Sequence, residues 1–225
     1  MYYKRKVITP NVGVFLFLGG VSVKQERRTY EIDFEVRSDE GQSPKIVGYA
    51  AVFDSKSEDL GGFREIIKPG AFKNALNDDV RALFNHDPNY VLGRNKAGTL
   101  SLAEDERGLK IVIDPPDTSW ASDLKKSMSR GDINQMSFGF ITNSDRWGLE
   151  DGETIRELVD VSLFDVSVVT YPAYTATDAS VRSTKDVYKD YANSIQAKEL
   201  ADKQAEQERS LKNKKLKLKL LESEV

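Results

Sequence analysis

The sequence predicts an α+β domain that is mainly β, because most of its hydrophobic patterns have the period of a strand. Polar and apolar side chains alternate over residues 29–36, as in an antiparallel strand with one buried face. Residues 161–170 are largely apolar on both faces, which indicates a strand that is buried on both sides. The clearest helical pattern in the body of the chain covers residues 118–130.

Further elements are predicted from apolar runs that are bounded by turn residues. A short helix is expected over residues 69–76, because proline fits the first turn of a helix. The Asp-Pro-Asn triplet at residues 87–89 is a turn signal. Residues 104–108 connect two strands into a hairpin. The additional strands are predicted at residues 46–53, 66–67, 80–84, 99–103, 109–113 and 133–141.

Composition divides the chain into three parts. Basic residues followed by an apolar run at residues 12–21 are similar to the start of a signal peptide. However, spanning a bilayer takes about 20 apolar residues, and no cleavage site follows the run. Residues 1–28 are therefore interpreted as a disordered or removable leader, with export as the alternative, and the domain covers residues 29–183. Residues 184–225 lack glycine and proline and are densely charged, which favours a helical or disordered tail.

The composition argues against several classes of function. The chain has 33 basic and 36 acidic residues and a net charge of −3, so no global field points to nucleic acid. It contains no cysteine, which excludes thiol nucleophiles, disulfides and zinc sites with cysteine ligands. We expect no nucleic-acid partner, no membrane partner, no metal and no cofactor.

His86 and Ser137 are the first two candidate catalytic residues. His86 is the only histidine, and histidine is the side chain that ordinarily changes charge near neutral pH, so it is the candidate general base. Ser137 and Gly139 share one face of an apolar strand, which would leave room for a scissile carbonyl beside the hydroxyl. Phe138 and Phe140 share the other face of this strand, which is expected to be core. The alternatives are an exposed turn histidine and an ordinary strand serine.

Asp165 is the third candidate, because a carboxylate in a strand buried on both sides needs a partner. A catalytic histidine would be one such partner, and a salt bridge to arginine or lysine is the alternative. Asp87 is a rival for the acidic role, but the turn at residues 87–89 already accounts for it. The residues together suggest a serine hydrolase.

Five short segments carry a resemblance to a known family. They are residues 47–53, 65–72, 83–87, 136–140 and 164–174, which read VGYAAVF, EIIKPGAF, LFNHD, MSFGF and FDVSVVTYPAY. In this order they resemble the HK97-type prohead proteases of tailed phages, over roughly residues 29–182. The resemblance implies an antiparallel β-barrel like that of the herpesvirus assemblins, with helices packed around it.

The resemblance also implies roles for the three candidates. His86 would be the general base and Ser137 the nucleophile. Asp165 would be the third member, at a position where glutamate is more usual in the family. The assemblins use a second histidine there, which this chain cannot supply.

The implied function is that of a serine endopeptidase that cleaves the capsid scaffolding segment, and itself, during procapsid maturation. Its partners would be the major capsid protein and further copies of itself, by autoproteolysis or in a homo-oligomer. It would act in the host cytoplasm, inside the assembling procapsid. A catalytically inactive scaffolding protein derived from the protease is the alternative. An α/β-hydrolase is disfavoured, because Gln135 stands where the first glycine of a Gly-x-Ser-x-Gly elbow belongs.

Overall fold

The computed structural model describes residues 17–18, 21–22, 25–31, 35–37, 44–171 and 183–222. Contacts divide the chain into two units, Met1–Ser183 and Thr184–Val225. Among the described residues, no helix is both long enough and apolar enough to span a membrane. Most of the predicted leader lies outside the described residues.

The first unit is mainly β in its described part, as the sequence predicts. It also contains 3₁₀ helices at Ala75–Asn77 and Asn95–Ala97 and one α-helix. The elements are β1 (Phe17–Leu18), β2 (Val21–Ser22), β3 (Glu26–Glu31), β4 (Glu35–Arg37), β5 (Lys45–Val52), β6 (Arg64–Ile67), β7 (Arg81–Phe84), β8 (Asp87–Arg94), β9 (Leu100–Glu104), β10 (Gly108–Ile113), α1 (Ser119–Ser129), β11 (Gln135–Glu150) and β12 (Glu153–Val169).

The strands form open sheets. One sheet has the order β4-β5-β10-β9, and a larger sheet has the order β3-β11-β12-β7-β8, with β6 also paired to β12. Within the described ranges neither sheet closes on itself, so the antiparallel β-barrel that the resemblance implies is not found there. Strands β6 and β7 both run parallel to β12, beside Ile155–Leu158 and Asp165–Val168. Strands β6 and β7 therefore lie along the same edge of β12, at different positions. Strands β3 and β8 are the outer strands of this sheet.

The two larger sheets share one hydrophobic core. Ile46 and Ile111 enter it from the four-stranded sheet, and Phe138 and Phe140 enter it from β11. The ring of Phe138 lies 4.9 Å from that of Phe140, measured between centroids. Leu124 of α1 is buried in the same core. The predicted core face of β11 and the predicted helix are therefore confirmed.

Two local predictions are wrong for identifiable reasons. The segment 29–36 is not one strand, because β3 ends at Glu31 and β4 begins at Glu35 in the other sheet. The helix expected over residues 69–76 does not form. Gly70 has a φ of +92°, outside the helical region, and Phe72 donates its backbone N–H to the Glu104 carboxylate.

The hairpin of β11 and β12 extends far beyond the two strands that the sequence predicts. Its turn is Asp151-Gly152, with φ values of 52° and 83°. Aspartate followed by glycine is a common sequence for this two-residue turn, because both positions require positive φ. The segments on either side of this turn are polar, so the sequence analysis did not identify them as strands of a hairpin.

A buried network of charges attaches β3 to the rest of the sheet. Arg28 bonds to Glu65 at 2.8 Å and to Glu26 at 2.8 Å, and Arg156 bonds to Glu26 at 2.7 Å and to Glu65 at 3.0 Å. These four side chains are at most 5% exposed. Burial acts to lower the pKa of Arg28, but the nearby carboxylates outweigh it and raise the pKa overall. A removable leader would therefore have to end before Glu26, rather than inside β3.

The second unit is described as one helix, α2 (Thr184–Glu222), which is 39 residues long. Most of its described side chains are exposed. The sequence predicts a helical or disordered tail, and the structure agrees with the helical form.

The network predicts a large loss of stability for Arg156→Ala. This change leaves two buried carboxylates with one cation, so the free energy of unfolding should fall by about 3–5 kcal/mol. Urea denaturation followed by far-UV circular dichroism measures this loss. Arg37→Ala is the control, because the Arg37–Glu35 pair is about two-thirds exposed and should contribute less than about 1 kcal/mol. Equal losses in the two variants would contradict the prediction.

Candidate active site

The turn between β7 and β8 carries His86. Phe84 pairs with Asp87, so Asn85 and His86 form a two-residue hairpin turn. Their φ values are 53° and 57°, and glycine is the usual residue at the second position. A histidine in this left-handed region is uncommon and costs about 1–2 kcal/mol. The turn predicted at residues 87–89 is therefore misplaced, since these residues lie in β8.

Asn85 fixes this turn against the end of β12. Its backbone N–H donates to the carbonyl of Val168 at 2.8 Å, and its Oδ1 accepts the backbone N–H of Thr170 at 2.9 Å. Asparagine is one of the residues that tolerates the left-handed conformation. These bonds hold the following His86 beside the face formed by β11 and β12.

Ser137 lies on the opposite face of β11 from the core. Its neighbours Met136 and Phe138 are fully buried in the core, so the alternation of the strand turns Ser137 away from them. Directly opposite Ser137 are Ser167 on β12 and Thr29 on β3. Ser137 is itself buried.

Regular pairing of β11 with β12 places Asp165 on the face of Ser137, because Ser137 lies opposite Ser167 and Gly139 lies opposite Asp165. Gly139 pairs with Asp165 and Phe140 pairs with Leu163, so Phe164 is an extra residue in β12. The bulge shifts the alternation by one position, and Leu163 joins the core while Asp165 lies beside Ser137. Strict alternation would put Leu163 and Asp165 on one face, and the extra residue Phe164 is what separates them.

The structure brings all three predicted side chains together. His86 Nδ1 lies 2.5 Å from Asp165 Oδ1, and His86 Nε2 lies 2.7 Å from Ser137 Oγ. An ionised carboxylate can only accept, so Nδ1 donates to Asp165 and Nε2 accepts the Ser137 hydroxyl. The side chains of His86 and Asp165 are only 6% and 9% exposed. A neutral imidazole in this orientation can take the proton of the serine.

The structure disagrees with the alternative interpretations of His86 and Asp87. His86 is not an exposed turn residue, because its ring is buried. Asp87 is not its partner: Asp87 Oδ1 accepts the backbone N–H of Asn89 at 2.8 Å. The carboxylate in contact with the imidazole is that of Asp165.

Gly139 and Ser167 surround the Asp165 carboxylate. Ser167 donates its hydroxyl to Oδ1 at 2.7 Å. A Cβ atom on Gly139 would lie 2.5 Å from Oδ2, so the space at Gly139 accommodates the carboxylate. The expectation that this space admits a scissile carbonyl is wrong. Sequence reasoning missed Ser167, although it lies two residues after Asp165 and hence on the same strand face.

Other parts of the described structure offer no comparable cluster. No group of three or more His, Asp or Glu side chains within the described residues is arranged to hold a metal ion. A cavity of about 610 Å³ lies at the opposite end of the β11–β12 hairpin, beside Trp147. Several charges at its wall are paired, as in the 3.2 Å contact of Lys56 with Glu150. None of the three candidate residues lines this cavity.

Comparison with known proteins finds a protein family, a relative and a solved structure that are similar to this chain. The family model of the caudovirus prohead serine protease (Peptidase_S78) matches residues 32–190. The prohead protease of Enterobacteria phage HK97 is 36% identical over 137 residues, which cover 60% of this chain and 58% of that protein. This chain therefore matches less than two-thirds of that relative's length. The solved structure of the bacteriophage T4 capsid assembly protease, gp21, has a TM-score of 0.42 and 13% identity, and the match covers 65% of this chain and 97% of that chain.

Proposed function

Because the chain belongs to the caudovirus prohead serine protease family, we propose that it is a serine endopeptidase of capsid maturation with Ser137 as its nucleophile. His86 is the general base, and Asp165 supports the imidazolium. The observation that carries this proposal is the continuous contact from Asp165 through His86 to Ser137, with both hydrogen bonds at 2.7 Å or less.

The reaction follows from these contacts. Ser137 Oγ attacks a peptide carbonyl carbon while His86 Nε2 takes the hydroxyl proton. When the carbon–nitrogen bond breaks, Nε2 returns that proton to the leaving amine, and an acyl-enzyme remains. Water then attacks the acyl-enzyme with the same base and releases the carboxylic acid. Asp165 accepts from Nδ1 throughout, which keeps the ring oriented and favours its charged form.

The proposed substrates are the scaffolding segment of the major capsid protein and the protease itself. Membership of a prohead protease family supports these substrates and the interior of the assembling procapsid as the place of action. The competing proposal, an inactive scaffolding protein derived from the protease, needs no contact between His86 and Ser137. The buried 2.7 Å contact therefore favours the active enzyme.

Loss of the nucleophile or of the base should abolish processing. Ser137→Ala and His86→Ala should each reduce cleavage by at least about a thousandfold, because the two residues act as a unit. Co-expression with the capsid protein of the same phage, followed by mass spectrometry, measures the products. Ser101→Ala, at an exposed strand position, is the control. Capsid processing at the normal rate by Ser137→Ala would refute the assignment.

The two acidic candidates should differ sharply. Asp165→Asn keeps the shape of the side chain but removes the charge that faces Nδ1, so kcat should fall by up to about ten-thousandfold. Asp87→Asn should be mild, because Asp87 bonds to Asn89 rather than to His86. Steady-state kinetics on a peptide that spans the mapped cleavage site compares them. A severe defect in Asp87→Asn beside a mild one in Asp165→Asn would reverse the assignment.

Autoproteolysis should remove the C-terminal tail. No strand of the described sheets comes from the second unit, so removal of that unit leaves the described strand pairs intact. Intact-mass measurement should find the active chain shortened and Ser137→Ala at full length. We also propose that the tail binds scaffold inside the procapsid, so a chain that ends before Thr184 should fail to bind scaffold in a pull-down. An active chain that stays full length, or a truncated chain that binds normally, would contradict this prediction.

A further inference from the structure

We propose that Ser167 and Gly139 are positioning residues, which together hold the Asp165 carboxylate in the orientation that His86 requires. The inference rests on the proposed function, because it concerns the third member of that catalytic group. Neither residue touches the reacting atoms in the proposed mechanism, so each would act through Asp165.

Ser167 holds one oxygen of the carboxylate. Its hydroxyl donates to Oδ1 at 2.7 Å, and Oδ1 is also the oxygen that accepts from His86 Nδ1. Ser167 is fully buried, so its hydroxyl is shielded from competing water. Two donors that converge on one oxygen restrict rotation of the carboxylate about its short stem. Without Ser167, a buried charge would lose a hydrogen bond and its orientation together.

Gly139 provides the space for the other oxygen. A Cβ atom there would lie 2.5 Å from Asp165 Oδ2, a separation that neither atom can tolerate. The backbone of Gly139 is not among the positive-φ positions, so its conformation does not require glycine. The need for glycine is thus steric, and it arises because Gly139 pairs directly with Asp165 in the β11–β12 ladder.

The clash at Gly139 would disturb the site more than the fold. The obstructing atoms are side-chain ends, Oδ2 of Asp165 and Nε2 of Gln25 at 2.6 Å, which can rotate away. Gly139→Ala should therefore leave the sheet intact and displace the carboxylate from His86. This outcome separates positioning from a structural role.

The experiment compares Gly139→Ala and Ser167→Ala with Gly148→Ala in the full-length chain. Gly148 lies in the same strand, and a Cβ atom there would meet nothing within 4 Å, so it is the matched control. On the mapped cleavage-site peptide, kcat should fall by about tenfold to a hundredfold in the first two variants, with little change in KM. Gly148→Ala should match the native chain.

A second measurement reads the hydrogen bond without any substrate. The proton between His86 Nδ1 and Asp165 should resonate at unusually low field, and the chain has one histidine, so the assignment is unambiguous. In a Ser137→Ala background, which prevents self-cleavage, the signal should persist with Gly148→Ala. It should be lost or move to higher field with Gly139→Ala and with Ser167→Ala. Circular dichroism verifies that each variant is folded.

The outcomes separate this inference from the proposed function. If Gly139→Ala and Ser167→Ala keep native kcat or the native low-field signal, positioning is refuted, while loss of activity in Ser137→Ala still supports the protease. If the Ser137→Ala chain cleaves normally, the proposed function is refuted. The proton signal would then still test how the carboxylate is held.

Discussion

The pairing of β11 with β12 is the constraint on which the first unit depends. One edge of the 17-residue β12 holds β11, and the other holds β6 and β7. Strand β3 is added beyond β11, and β8 is added beyond β7. Phe138 and Phe140 on this pair enter the core shared with the four-stranded sheet. A slip of one residue would turn these rings to the other face and out of the core, so burial of the core specifies the register.

The same register assembles the candidate site. Ser137 lies opposite Ser167, and Gly139 lies opposite Asp165. Val168 pairs with the last residue of β7, and its carbonyl binds the next residue, Asn85. The turn that carries His86 is thus anchored by the ladder that aligns the other two side chains. Three neighbouring elements each supply one member, and none of the three positions is set independently.

Buried charge is compensated in two different ways. In the network around Glu65, each carboxylate contacts arginine, which attaches the N-terminal strand to the sheet. At the site, the Asp165 carboxylate accepts from a histidine and a serine. Two arginines hold their charge permanently, whereas an imidazole can gain and lose a proton. The first arrangement suits a fixed structural role, and the second suits proton transfer.

Features that depend on local period or on short ordered motifs could be predicted from the sequence alone. The core face of β11, the hairpin of β9 and β10, helix α1 and the three candidate site residues are of this kind. Other features depend on which strands become neighbours. No local pattern encodes this, so these features are visible only in the tertiary structure. These features are the division of residues 29–36 between two sheets, the open form of the described sheets, the turn at Asn85 and His86, the bulge at Phe164, and the packing of Gly139 and Ser167 around Asp165.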